Sequence, residues 1–192
     1  MSDLRTFRPR LFAILLPIWL IFTSFAFEAR AVDMRAGRTI TVPAGEVVSG
    51  NLYLAGGDIF MSGKVDGDLV AAGGTITLGG TVTHDITIGG GQLNLSGQVG
   101  GDLRVAGGQV VLSGKLNGDL VAAAGTIRVL PGAVVGGDVV LAGGNVLLEG
   151  TLVRSVKAVA GKIAINGTVT GPVEVRTVEL AIGERGNLGN EL

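Results

Sequence analysis

Five aspartates at almost constant spacing are the residues of this sequence best placed to do chemistry. Successive members are 17, 17, 17 and 19 residues apart, and each precedes an aliphatic residue: Asp68, Asp85, Asp102, Asp119 and Asp138. If this spacing is the period of a stacked fold, the carboxylates lie above one another and repel. A bound Ca²⁺ ion would relieve that repulsion, since carboxylate oxygens are ligands that this cation prefers.

A structural role for the same aspartates is the interpretation that we favour. Aspartate side chains accept hydrogen bonds from the backbone of their own turn, as in Asx turns. Asn51 and Ser155 occupy the same position one step before and one step after the series, and both are poor ligands for a hard cation. We therefore expect turn formation, and we predict neither a metal site nor a cofactor.

The sequence offers little for catalysis. It has no cysteine and one histidine, His84, which stands where most repeats have glycine, so we expect an exposed corner residue and not a catalytic base. Three Gly-Lys pairs resemble fragments of phosphate-binding loops but lack the upstream glycine and the following Ser or Thr: Gly63-Lys64, Gly114-Lys115 and Gly161-Lys162. We expect no enzyme activity and no bound nucleotide.

The elements that must position the aspartates follow from five columns of aliphatic residues with the same period. Within one unit the columns are 2, 5, 2, 4 and 4 residues apart, as in Leu69, Ala71, Ile76, Leu78 and Val82. A spacing of two is the alternation of a β-strand, and glycines fill the gaps between the pairs. Each unit therefore indicates a strand, a corner, a second strand, a corner and a short strand.

A short fixed period predicts an all-β fold in which each unit buries its apolar side against its neighbours. The predicted architecture is a single-stranded parallel β-helix, or β-solenoid, of about eight coils, preceded by an N-terminal hydrophobic segment. The coils begin near Thr39, and three corners, around Pro43, Pro131 and Gly183, are two residues longer. We assign residues 39–192 to the β-helix and residues 32–38 to a short linker.

Residues 1–31 differ in composition from the repeats. Three arginines precede an uncharged apolar run over residues 11–27, and Ala29-Arg30-Ala31 follows it. That order is typical of a secretory signal peptide, and the length of the run also fits an uncleaved membrane anchor. Both alternatives place the β-helix outside the cytoplasm, in the periplasm or at the cell surface. With a net charge of −1, the chain is not expected to bind nucleic acid.

Two sets of apolar residues are candidates for contact with a partner. The first set belongs to the first and last coils, whose outer strand edges have no neighbouring coil; its members are Ile40, Val42, Leu180, Ile182, Leu188 and Leu192. The second set points outward within the repeats and reflects either β-propensity or a lateral contact surface; its members are Tyr53, Phe60, Val70, Val111, Val121, Val140 and Leu147.

The 17-residue unit typified by Gly-Asp-Leu-Val-Ala-Ala-Gly-Gly-Thr-Ile-Thr-Leu-Gly-Gly-Thr-Val at residues 67–82 resembles that of the bactofilins, the polymer-forming bacterial cytoskeletal proteins. The likeness covers residues 39–192. It implies a right-handed parallel β-helix, end-to-end polymerisation without nucleotide, membrane association and a role in cell shape or envelope organisation. Typical bactofilins are cytoplasmic, so an exported scaffold or envelope filament is the version consistent with the leader at residues 1–31.

Two functions of different kinds remain open. The first is a non-enzymatic structural protein that self-associates through its β-helix ends into a homopolymer or scaffold, in contact with membrane or envelope components. The second is an exported surface-binding or adhesion module that uses one solenoid face to recognise glycan, lipid or protein. A β-helix polysaccharide lyase or hydrolase would require aromatic residues on one face, and only 4% of the residues are aromatic.

Overall fold

The fold of residues 32–189, which are the residues that the computed structural model describes, consists of β-strands joined by short corners. The strands, numbered in chain order, are β1 (Asp33–Val42), β2 (Val47–Ser49), β3 (Leu52–Met61), β4 (Lys64–Asp66), β5 (Leu69–Leu78), β6 (Thr81–Val82), β7 (Ile86–Leu95), β8 (Gln98–Val99), β9 (Leu103–Leu112), β10 (Lys115–Leu116), β11 (Leu120–Val129), β12 (Val134–Val135), β13 (Val139–Leu148), β14 (Thr151–Leu152), β15 (Val156–Ile165), β16 (Thr168–Val169), β17 (Val173–Ile182) and β18 (Asn187–Leu188). One long and one short strand make one coil.

Parallel pairing links each coil to the next. The nine long strands form one sheet in the order β1-β3-β5-β7-β9-β11-β13-β15-β17, and the nine short strands form a second sheet in the same coil order. The register does not slip, since Leu69 pairs with Leu52 on one side and with Ile86 on the other. This arrangement confirms the predicted all-β parallel solenoid, with nine coils where about eight were expected.

The first coil begins earlier than the sequence pattern indicates. β1 starts at Asp33, which pairs with Leu52, and it continues to Val42, which pairs with Met61. The prediction of a linker at residues 32–38 was therefore wrong, because residues 33–38 are the first half of a sheet strand. The aliphatic columns do not reveal this segment, since strand pairing is made by the backbone and two columns hold charged residues here.

The core is a stack of aliphatic side chains enclosed by the coils. Leu52 and Leu54 of β3 point inward, and the residue between them points outward. The alternation then shifts across Gly57, so that Ile59 and Met61 also point inward. The two strands predicted for this part of a coil are thus one strand with a bend, because pairing continues on both sides of the shift. No polar or charged side chain within residues 32–189 is buried.

The glycines at the corners mainly allow close approach between coils. Positive φ angles occur in the described residues at Gly45, Gly50 and Gly132. At most of the other glycines an added methyl group would collide with the preceding coil: a Cβ at Gly63 would lie 2.6 Å from the carbonyl oxygen of Glu46. The glycines after the second aliphatic pair lie at corners as predicted, whereas the glycine pairs lie at the bends of the long strands. Most of these glycines are needed for space and not for an unusual backbone conformation.

The three longer corners are closed by β-turns. In each turn the backbone N–H of the fourth residue donates to the carbonyl oxygen of the first at 2.9–3.1 Å; the pairs are Glu46 and Pro43, Ala133 and Leu130, and Gly186 and Gly183. In the first two turns a glycine with positive φ occupies the third position, as a type II turn requires. The extra residues project from the stack, and the register of the sheets is unchanged.

Candidate functional site

The five aspartates form a hydrogen-bonded series along one corner of the β-helix, which we call the aspartate ladder. The Oδ1 atom of each carboxylate accepts the backbone N–H of the residue at the same position in the next coil. The N···O distances are 3.2 Å from Asp85 to Asp68, 2.8 Å from Asp102 to Asp85, 2.9 Å from Asp119 to Asp102 and 2.8 Å from Asp138 to Asp119. The aspartates therefore join consecutive coils, where a turn within each coil was predicted.

Different residues end the aspartate ladder on its two sides. Asn51 supplies the first acceptor, since its Oδ1 lies 2.9 Å from the backbone nitrogen of Asp68. At the other side Ser155 donates its backbone N–H and its hydroxyl to Oδ1 of Asp138, at 3.1 and 2.7 Å. Pro172 follows at the same position one coil later and has no N–H to donate. The aspartate ladder therefore stops at Ser155.

Positive and hydrogen-bonding groups offset the repulsion between ladder carboxylates. The guanidinium of Arg104 lies 3.2 Å from Oδ2 of Asp85 and 2.9 Å from Oδ2 of Asp102. The backbone N–H of Asp102, helped by Arg104, holds the pKa of Asp85 below its usual range. The hydroxyl and the backbone N–H of Ser155 likewise lower the pKa of Asp138. These contacts reduce the repulsion between carboxylates that a bound Ca²⁺ ion would relieve.

The other residues singled out for chemistry are exposed or make ion pairs on the outside of the described β-helix. Within residues 32–189 no three acidic or histidine side chains come close enough to hold a metal ion. His84 is exposed, and its Nδ1 lies 3.0 Å from the hydroxyl of Thr83. Lysines of two Gly-Lys pairs form exterior ion pairs, Lys64 with Asp66 at 2.6 Å and Lys162 with Glu179 at 2.7 Å.

An ion cluster covers the N-terminal end of the β-helix; we call Asp33, Arg35 and Glu46 the N-terminal cap. Asp33 and Arg35 stand in the inward columns that hold Leu52 and Leu54 in the next coil. The Arg35 guanidinium lies 2.7 Å from Oδ2 of Asp33 and 2.6 Å from Oε1 of Glu46. These hydrogen bonds raise the pKa of Arg35 and lower the pKa of Asp33. Charged groups therefore occupy the two inward positions of the first half of β1.

Two of the predicted end-contact residues lie inside the N-terminal coil. Ile40 and Val42 are buried and belong to the aliphatic core, where they pair in register with Ile59 and Met61. Neither side chain is presented at the surface of this end, and their role as end-contact residues stays a prediction. The signal was present in the sequence: Asp33 precedes Leu52 by 19 residues, the period of a coil with a long corner.

The C-terminal end of the described β-helix exposes its inward-facing apolar side chains. Leu180 and Ile182 are 39% and 47% exposed, whereas Ile163 and Ile165 at the same positions of β15 are 1% exposed. Within residues 32–189 no strand pairs with the outer edge of β17 or of β18. We call the inward-facing apolar residues of this coil the C-terminal face; they are Val173, Val175, Leu180, Ile182 and Leu188.

The outward-facing apolar residues form short patches. Val121 and Val140 pair in neighbouring strands and are 44% and 45% exposed. Thr87 and Arg104 separate Val121 from Val70 in the same column. The other predicted members also stand at outward positions of the long strands; they are Tyr53, Phe60, Val111 and Leu147. A continuous lateral surface of apolar side chains is therefore not formed by these residues.

Comparisons with known proteins give no relative from which a function could be transferred. No protein-family model, no curated protein and no solved structure matches the chain. Among residues 32–189, no helix is long and apolar enough to cross a membrane. The predicted leader at residues 1–31 and the predicted contact residue Leu192 lie outside the described residues.

Proposed function

We propose that the protein is a non-enzymatic structural component that self-associates through the C-terminal end of its β-helix. The observation that carries this proposal is the contrast between the two ends. Charged groups of the N-terminal cap lie at one end, whereas the C-terminal face leaves Leu180 and Ile182 exposed beside an edge of β17 with which no strand of residues 32–189 pairs. Association would bury these side chains and pair the free backbone groups, and both effects are favourable.

A second copy of the same chain is the partner that this end fits best. The edge of β17 offers ten residues of backbone, with inward side chains spaced 2, 5 and 2 residues apart around a bend. Another long strand of this protein has the same length, bend and inward spacing, as β15 shows against β17. Contact between two copies therefore continues a sheet without requiring either copy to change its shape.

The setting that we propose is the bacterial cell envelope, on the outer side of the cytoplasmic membrane. The basic residues, the apolar run and the Ala-Arg-Ala sequence within residues 1–31 support export or anchoring. Nine stacked strands at the usual spacing span about 38 Å, and every coil is held to the next by two sheets. A rod with one associating end suits a scaffold of defined length, whereas the end-to-end polymer that the resemblance to bactofilins implies would need both ends to associate.

Sedimentation velocity of the purified protein over a range of concentrations tests the proposal. We expect wild type to associate and Ile182→Lys to remain monomeric, because a lysine in the C-terminal face places a charge in the contact. Val121→Lys is the matched control, since Val121 is similarly exposed, 44% against 47%, but lies on the side of the β-helix. A wild type that stays monomeric at every concentration would refute self-association, and loss of association only in Val121→Lys would move the contact to the lateral face.

A further inference from the structure

The outermost long strand, β17, has the same inward pattern when it is read from either end. Its residues 173–182 run Val-Glu-Val-Arg-Thr-Val-Glu-Leu-Ala-Ile. Two aliphatic side chains point inward before the bend and two point inward after it, at equal distances from the bend: Val173 and Val175, then Leu180 and Ile182. A two-fold axis that passes between residues 177 and 178 and relates two copies of β17 therefore places each inward aliphatic side chain of one copy opposite an inward aliphatic side chain of the other.

The outward side chains of β17 follow the same symmetry with opposite charge. Arg176 stands just before the bend and Glu179 just after it, and both are exposed. Their present ion pairs lie on the outside of the molecule: Arg176 is 3.6 Å from Glu174, and Glu179 is 2.7 Å from Lys162. The two-fold axis that matches the aliphatic residues also brings Arg176 of one copy opposite Glu179 of the other. Opposite charges at directly opposed positions of neighbouring strands stabilise their pairing.

We propose that two copies pair tail to tail, with β17 antiparallel to β17 of the second copy, and that the assembly closes as a dimer. Val173 then faces Ile182 of the second copy, and Val175 faces Leu180; each pair occurs twice because the contact is isologous. The same axis places the short strand β18, with Leu188, opposite β18 of the second copy. This inference rests on the proposed self-association through the C-terminal face.

The N-terminal cap explains why the assembly stops at two copies. In a head-to-tail stack that continued the sheet order, β1 of a second copy would follow β17, with Asp33 over Val173 and Arg35 over Val175. Burying these charges against aliphatic side chains is unfavourable, because they lose water without gaining a partner. Contact between two N-terminal ends would bury two such clusters. Both modes of growth beyond the dimer are therefore disfavoured.

Charge reversal at the two outward positions tests the antiparallel register. Arg176→Glu places four acidic side chains in two opposed pairs across the axis, and Glu179→Arg places four basic ones there. Each variant alone is expected to raise the dimer Kd about tenfold or more, since two attractive pairs become repulsive. Arg128→Glu is the matched control, because Arg128 is an exposed arginine on the long sheet three coils away from β17.

Complementation makes the test specific to a two-fold contact. A mixture of Arg176→Glu and Glu179→Arg should form heterodimers with wild-type affinity, and the double variant Arg176→Glu/Glu179→Arg should form homodimers again. Sedimentation equilibrium should give twice the monomer mass and no larger species. A head-to-tail contact would not be rescued in this way, because β1 presents neither charge at the opposing positions.

The possible failures are distinguishable from one another. If wild type is monomeric at every concentration, the proposed function and this inference are both overturned. If Ile182→Lys abolishes association but neither the mixture nor the double variant restores it, the C-terminal contact stands and the two-fold register is wrong. Wild-type particles larger than dimers would overturn the closed assembly. Circular dichroism of each variant at low concentration establishes that the monomer is folded.

Discussion

Gly79 and Gly80 are neighbours at one corner, and alanine is expected to have opposite effects at the two positions. At Gly80 an added Cβ would overlap the carbonyl oxygen of Gly63 and lie 2.8 Å from the carbonyl carbon of Ser62. At Gly79 the nearest atom would be Oγ of Ser96 at 3.6 Å, an ordinary van der Waals contact. Neither glycine has a positive φ angle, so alanine fits the backbone conformation at both positions.

The two substitutions differ in physical origin and in size. Gly79→Ala reduces the conformational freedom of the unfolded chain without a steric penalty, which stabilises the fold by about 0.4–1 kcal/mol. Gly80→Ala forces two coils apart, and overpacking of this kind destabilises by about 1–3 kcal/mol. The upper part of that range is expected, because the overlapping atoms are backbone atoms, and the carbonyl oxygen of Gly63 is held by the backbone N–H of Thr81 at 3.0 Å. The free energies of unfolding of the two variants should therefore differ by about 2 kcal/mol or more.

Urea denaturation followed by circular dichroism, with both variants and wild type under the same conditions, measures this difference. Gly79→Ala should unfold at a higher urea concentration than wild type, and Gly80→Ala at a lower one. In a thermal melt of a chain of this size, each kcal/mol of difference in the free energy of unfolding shifts Tm by about 2–4 °C. Equal midpoints for the two variants would contradict the view that glycines serve close approach between coils, and would favour local turn flexibility as their role.

Three further predictions concern the aspartate ladder and the N-terminal cap. Asp102→Ala removes an acceptor of a backbone N–H and should lower the free energy of unfolding by about 1 kcal/mol, whereas Asp102→Asn keeps an oxygen there and should lose less; equal losses in urea denaturation would refute the ladder bond. The lowered pKa values of Asp85 and Asp138 mean that their charged forms stabilise the fold above the usual aspartate pKa of about 3.9; this stability should be lost as pH falls below about 4, and a flat urea midpoint between pH 5 and 2 would contradict it. Asp33→Leu/Arg35→Leu should let dimers grow into longer particles, and unchanged light scattering would argue against the N-terminal cap as the stop.

The repeating part of the fold could be predicted because each inner coil has the same spacing of aliphatic residues. Leu69, Ala71, Ile76, Leu78 and Val82 alternate, shift at a glycine pair and alternate again, and only a stacked sheet buries all five. The aliphatic spacing does not distinguish two strands from one bent strand, since the inward residues are the same in both cases. Hydrogen bonding across the bend, which decides between them, belongs to the backbone and leaves no mark on the sequence.

The candidate site was less accessible to sequence reasoning. Asp102 fits a turn within its own coil and a bond to the next coil equally well, because both need a short side chain with an oxygen acceptor. The direction of that side chain depends on how closely the coils approach, which the glycines control. The N-terminal cap was not predicted for a different reason. Asp33 and Arg35 are charged residues at inward positions, so they do not belong to the aliphatic columns from which the coils were recognised.

The inner coils contribute length, while the two ends carry the features on which the proposed association depends. Each ladder bond is made in the same way, so removing residues 85–101 would bring Asp102 onto Asp68 and leave the N-terminal cap and the C-terminal face untouched. Such a chain would be shorter by one strand spacing, about 4.8 Å. The protein can thus be regarded as a spacer whose span is adjustable in whole-coil steps, so that copies with more or fewer coils would set different separations between whatever is attached to their two N-terminal segments.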